Sequence, residues 1–168
     1  YVIYNYSQNI WYYGTLARTA WSDSGLREYP HGATYINNLV EHERGVDDFS
    51  TASQTAISSF ISSAQFDLED GHQFMYIQRA FPDIRFKDST ATNPSVVMSL
   101  IPQNNSGSGL TTPASEGGNS TGTVTRSATS RVEKYTERLD MRVRGRQLAV
   151  KVESTAAGVA WQLGALRV

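Results

Sequence analysis

Apolar and aromatic residues fall in short runs separated by polar and turn-forming residues, and helical periodicity is nearly absent. The β-rich runs lie at 1–6, 10–13, 17–21, 34–37, 39–43, 57–68, 74–79, 84–86, 96–101, 124–128, 139–144, 148–153 and 159–163. β-Branched and aromatic side chains fill them, as suits a pleated, half-buried surface. The most helix-like stretch, 50–61, is dominated by Ser and Thr, which are poor helix-interior residues. Many short strands joined by Gly, Asn and Asp turns predict an all-β chain.

Two hairpins stand out in this pattern. Asn37-Asn38, between Thr34-Tyr35-Ile36 and Leu39-Val40-Glu41, predicts a tight turn. Gly145-Arg146 predicts a second, with Gly at the first central position as a type II′ turn requires. Its register would place Val143 opposite Leu148, Met141 opposite Val150 and Leu139 opposite Val152. On the other face Asp140 would meet Lys151 and Arg138 would meet Glu153, both opposite-charge pairs. A slip of one residue would turn the apolar set to the wrong face.

The chain changes character near 47–55, so a boundary is expected between 1–49 and 50–168. In the second part Phe66, Leu68, Ile84, Phe86, Val96, Met98 and Leu100 keep period-2 spacing within their runs. Two-layer packing in an antiparallel β-sandwich is the natural way to bury such faces. Residues 103–123 hold one large apolar side chain, Leu110, in 21 positions. Such a segment cannot bury enough surface to offset the ordering entropy, and predicts a long flexible loop.

Composition narrows the function classes. The 168 residues carry no cysteine, which excludes disulfide frameworks, thiol nucleophiles and cysteine-ligated zinc or iron–sulfur centres. No apolar run approaches the roughly 20 residues a membrane-spanning helix needs, and no membrane partner is expected. A net charge of −1 argues against a globally basic nucleic-acid binder. The charge is split, however. Residues 1–84 hold 4 basic and 10 acidic residues, and residues 85–168 hold 11 and 6, so the halves carry −6 and +5. Two lobes of opposite sign suit contact between neighbouring copies. The chain opens on Tyr1-Val2-Ile3-Tyr4 without a signal-like segment, and 166–168 stop in mid-pattern. A piece of a longer polypeptide is the expectation.

Catalytic chemistry is thin. His31, His42 and His72 stand apart, with no HxH or HExxH spacing. Glu41-His42-Glu43 followed by Asp47-Asp48 is the densest polar cluster. Alternation in a strand would put the two glutamates on one face and His42 on the other, which argues against joint chelation. Asp70-Gly71 reads as a tight turn, since the EF-hand spacing is missing. No catalytic, cofactor-binding or metal-binding residue is assigned, and no enzymatic activity or cofactor is expected. The basic run Arg138, Arg142, Arg144 and Arg146 is the candidate contact surface, for a neighbouring subunit or for the phosphates of a DNA channel. No aromatic platform is expected on that face, which argues against single-strand binding and favours ion pairing between subunits.

Two segments resemble a known family. Tyr4-Asn5-Tyr6-Ser7-Gln8-Asn9-Ile10-Trp11-Tyr12-Tyr13-Gly14, followed by Ala17-Arg18-Thr19-Ala20-Trp21, looks like a late blade of a β-propeller. Arg142-Val143-Arg144-Gly145-Arg146-Gln147-Leu148-Ala149, with Gly158-Val159-Ala160-Trp161-Gln162-Leu163-Gly164, resembles the C-terminal part of the tail hub or nozzle proteins of short-tailed bacteriophages, also described as tail tubular or packaged-DNA stabilisation proteins. The resemblance implies the end of a propeller-like region over 1–49, followed by an antiparallel sandwich over 50–168. It also implies a virion location, a ring of copies (hexameric in the family) around a DNA channel, and no enzymatic activity. Implied neighbours are tail adaptor, fibre or spike proteins, with non-specific DNA contact in the channel. The alternative from another class is a carbohydrate-binding, adhesive sandwich using Trp11, Tyr12, Tyr13 and Trp21 for stacking. Alternation within their strands predicts instead that these rings pack into a core. Glycoside hydrolysis has no positive feature beyond abundant carboxylates.

Overall fold

The computed structural model describes residues 1–51, 53–67, 72–103, 127–165 and 167. Among these residues every regular element is a strand, and the sheets are antiparallel. The chain divides into two units, Tyr1–Gly45 with Phe49–Ser53, and Val46–Asp48 with Gln54–Val168. The expected loop at 103–123 lies outside the described residues apart from Gln103, as does the Asp70-Gly71 turn.

In the first unit, β1 (Val2–Asn5) and β2 (Ile10–Tyr13) pair with Val2 opposite Tyr13 and Asn5 opposite Ile10. The Asn5 side chain organises the turn, its Oδ1 accepting from the backbone N–H groups of Ser7 and Gln8 at 3.1 and 3.2 Å. Asn9 completes the turn at φ 55°, a left-handed conformation Asn tolerates better than most residues. Across the pair Tyr4 and Trp11 stack with centroids 4.4 Å apart. β3 (Ala20–Ser22), β4 (His31–Ala33) and β5 (Leu39–Glu41) form a three-stranded sheet with β4 in the centre.

The hairpin around Asn37-Asn38 differs from expectation. Ala33, not Ile36, lies opposite Leu39, so a five-residue loop replaces the tight turn. The Thr34 hydroxyl accepts from the Asn38 N–H at 3.1 Å, and the Thr34 N–H donates to the Asn38 carbonyl at 2.8 Å. Asn37 alone takes positive φ, at 64°, whereas a two-residue I′ turn needs it at both central positions. Capping by Thr34 thus ends the strand before Tyr35 and Ile36.

The second unit starts with β6 (Asp47–Asp48) paired to β7 (Thr55–Ala56). β8 (Ser59–Ser62), β9 (Phe66–Asp67), β12 (Ser95–Gln103), β13 (Ala128–Glu133) and β15 (Gln147–Ser154) make a five-stranded sheet, ordered β13-β12-β15 with β8 and β9 along one edge of β15. β10 (Met75–Ala80) pairs with β14 (Leu139–Gly145), and β11 (Ile84–Arg85) pairs with β16 (Gln162–Leu163). The run 57–68, continuous in the sequence, is broken by the insertion of one extra residue. Residues 63–65 span two positions of β15, between Ser62 opposite Lys151 and Phe66 opposite Leu148. Ser63 fills the gap by accepting the Val150 N–H on its hydroxyl at 2.9 Å and donating its own N–H to the Val150 carbonyl at 2.8 Å.

One core serves the five-stranded sheet and the β10–β14 pair. Val96, Met98 and Leu100 of β12, Val132 of β13, and Leu148, Val150 and Val152 of β15 join Met75 and Ile77 of β10 and Leu139, Met141 and Val143 of β14. Each fully buried side chain of this kind contributes about 1.5–3 kcal/mol of transfer free energy.

The hairpin expected at Gly145-Arg146 is not formed. β14 pairs with β10, with Ile77 opposite Val143 and Tyr76 opposite Arg144. β15 pairs with β12, with Leu100 opposite Val150 and Gln103 opposite Gln147. Gly145 is not among the residues at positive φ, so the II′ geometry is missing. Arg146 instead donates its backbone N–H to the Gln103 carbonyl at 2.7 Å. The glycine is needed for closeness: a Cβ there would stand 2.7 Å from Cβ of Pro102 and 2.8 Å from the Gln103 carbonyl oxygen. The predicted faces survive, because Leu139, Met141, Val143, Leu148, Val150 and Val152 are all buried. They bury from different ladders, across a one-residue link.

Candidate functional site

Alternation along β14 turns Asp140, Arg142 and Arg144 outward while Leu139, Met141 and Val143 face the core. β10 lies beside it and places Tyr76 directly across from Arg144, with Phe74 just before the strand. Phe74 and Tyr76 are 47% and 56% exposed. The guanidinium carbons of Arg144 and Arg146 lie 4.6 and 5.0 Å from the centroid of the single Phe74 ring. Arg144 and Arg146 therefore share Phe74 at one end of the β10–β14 pair, with Tyr76 across from Arg144 and Arg142 two positions back along β14.

Arg138 belongs to a different arrangement. Its Nη2 lies 3.2 Å from Oδ2 of Asp140, and Arg79 Nε approaches the other oxygen at 3.9 Å. Lys151 pairs with Glu153 on its own strand at 2.5 Å. The cross-strand pairs expected from the hairpin, Asp140 with Lys151 and Arg138 with Glu153, are replaced by these. Among the described residues no carboxylate pairs with Arg142, Arg144 or Arg146. Among the described residues, Arg146 Nε and the side-chain oxygens of Gln103 and Gln147 are buried with no hydrogen-bond partner. The expectation that no aromatic accompanies the arginines is corrected. Tyr76 of β10 and Phe74 just before it lie some 70 positions earlier in the chain, and only the β10–β14 pairing brings them here.

In the first unit, His31 of β4 faces Glu41 of β5. His31 Nδ1 lies 2.8 Å from the Tyr29 carbonyl, which orients the ring. Its Nε2 is 3.4 Å from Arg27 Nη1 and 3.7 Å from Glu41 Oε1. Arg44 donates to the other Glu41 oxygen. That hydrogen bond, reinforced by the charges of Arg44, His31 and Arg27, holds the Glu41 carboxyl below the usual carboxylate range against a smaller desolvation effect. These groups line a concavity of about 260 Å³. His42 turns elsewhere, accepting from Arg18 Nε at 2.9 Å with its ring 4.6 Å from Trp21. In the second unit, the buried Asp47 accepts the Gly158 N–H at 2.7 Å and the Gln54 amide, a tie between backbone segments. The cluster read in the sequence at 41–48 is thus divided among separate partners.

Trp11, Tyr12, Tyr13 and Trp21 are 66, 47, 90 and 51% exposed, which overturns their expected core packing. β1 and β2 form a two-stranded sheet, and the large side chains on both of its faces remain open: Val2, Tyr4, Trp11 and Tyr13 on one, Ile3, Ile10 and Tyr12 on the other. No family model, no curated protein and no solved structure matches this chain.

Proposed function

We propose that the chain is a non-catalytic module of a short-tailed phage tail tube or nozzle, working as one copy in a closed ring around a DNA channel. In this reading the first unit is the end of a propeller-like region and the second an antiparallel sandwich. The resemblance of 4–21 and 142–164 to that family supports the virion setting. The observation that carries the assembly is the β1–β2 pair, whose aromatic and aliphatic side chains stand open on both faces. Isolated two-stranded sheets are marginal in water, and contiguous apolar surface of this kind marks a contact site. The split of −6 and +5 between the halves suits head-to-tail contacts that orient neighbours, while buried aromatics supply most of the affinity. Arg142 and Arg144, with which no carboxylate pairs among the described residues, are then the arginines that meet DNA phosphates, whereas Arg138 is engaged by Asp140. Density around this chain in intact particles tests the proposal. A ring of copies with β1 and β2 covered at a subunit contact supports it, and a peripheral, uncovered position sinks it.

The exposed Trp11 and Tyr13 favour a second reading, an adhesive module that stacks sugars on these rings. A glycan array separates the two. Binding abolished by Trp11→Ala would favour adhesion, whereas a blank array leaves the scaffold reading in place.

A further inference from the structure

We infer that β2 of a neighbouring copy adds to the outer edge of β8, seating Trp11 and Tyr13 in the groove beside it. The inference rests on the proposed ring of copies and names the surface that covers the β1–β2 pair. β8 lies at one edge of the five-stranded sheet, and among the described residues no strand pairs with its outer side. Open edges are usually blunted by charge, proline or a bulge. The opposite edge of the sheet follows that rule, since β13 carries Arg131 and Glu133. β8 reads Ser-Phe-Ile-Ser, with neither charge nor proline, and its Phe60 and Ile61 are 68% and 51% exposed. Beside it runs a concavity of about 570 Å³ lined by Ile57, Ile61, Val159, Trp161 and Leu163. Trp161 donates its indole N–H to the Ser59 hydroxyl at 2.9 Å, which holds the ring as one wall of the groove.

Symmetry, charge and area select a second copy as the occupant. A closed ring needs two different patches on each subunit, one fitting the other. The β1–β2 pair and the β8 edge are such patches. Residues 1–17 and 49–66 contain no Asp, Glu, Lys or Arg, so joining them strips no side-chain charge of its water. A nucleic acid or an acidic peptide would bring charge that neither stretch answers. On one face of the hairpin Val2, Tyr4, Trp11 and Tyr13 stand open. Together they leave roughly 500 Å² uncovered, taking about 150–250 Å² for each aromatic side chain. That is a large share of the roughly 800 Å² that a stable contact covers on each partner. Hydrogen bonding of the added strand along β8 extends the contact, while the groove receives alternate side chains.

Cross-linking of the full-length protein tests this, since the chain has no native cysteine. Copies carrying Tyr12→Cys are co-assembled with mass-tagged copies carrying Phe60→Cys and treated with a short bis-maleimide. Its reach covers a slip of two positions, about 7 Å. Links between the two kinds of copy are expected. In sedimentation equilibrium, Phe60→Lys combined with Ile61→Lys should weaken assembly about a hundredfold. Ile61→Val should leave it within about threefold of wild type. Both side chains are more than half exposed, so an unchanged thermal midpoint of the lysine variant confirms its fold. Links among Phe60→Cys copies alone would mean that β8 pairs with its own counterpart across a two-fold axis, and would overturn the inference. Assembly that persists in the lysine variant, without links, would overturn it too and leave the ring standing. A wild-type protein that stays monomeric even in particles would overturn both.

Discussion

Gly145 is the residue on which the corner between β14 and β15 turns. Its backbone approaches Pro102 and Gln103 too closely for any side chain. Gly145→Ala should therefore lower stability by about 1–3 kcal/mol through overpacking, measured as a shift of the urea midpoint without a change in slope. A hairpin turn would respond differently, since its penalty would arise from positive φ, which Gly145 does not adopt. Met141 is 3% exposed in the core, and Met141→Asp buries a charge without a partner. That substitution should cost several kcal/mol. Glu41 supplies a pH signature. Its folded pKa is lowered chiefly by the Arg44 hydrogen bond, so the unfolded chain binds its proton more readily. The stabilisation is present above the ordinary Glu pKa and is lost as pH falls through the lowered value. An NMR titration of the Glu41 carboxyl should give a midpoint below that of a model peptide, and Arg44→Gln should bring it back up.

Strands and their buried faces were largely legible, but their neighbours were not. The alternation of 139–144 and 148–153 identifies six core residues correctly, because period 2 reports which side chains share a face. It carries no information on which strand lies alongside. The same apolar set is buried whether β14 and β15 pair or stand in separate ladders around one core. The sequence does not place Phe74 and Tyr76 beside the arginines for this reason, since only the pairing of β10 with β14 brings them there. Likewise a single serine hydroxyl splits the run 57–68, and a threonine cap ends the strand before Tyr35, details that composition does not carry. The absence of native cysteine makes the pairing testable by cross-linking. Tyr76→Cys with Arg144→Cys should oxidise readily, being directly opposite in the ladder. Asp140→Cys with Lys151→Cys, opposite only in the hairpin register, should stay reduced.

At the level of the whole molecule, the second unit has a core of its own, while the first leaves most of its aromatic surface open. Such surface is the reason for reading the chain as a component of an assembly, with the charge split setting the order of contacts. Raising the salt concentration should slow association, because exposed charges beyond roughly 8–10 Å are screened at physiological ionic strength. The most direct test of the central claim is native mass measurement of the full-length protein, alone and released from particles. The account predicts one closed multiple of the subunit mass, with six copies as the number implied by the resemblance, and loss of that species when Trp11 and Tyr13 are replaced by Ser. A protein that remains a monomer in both settings, and that binds host glycan through those rings, would contradict it.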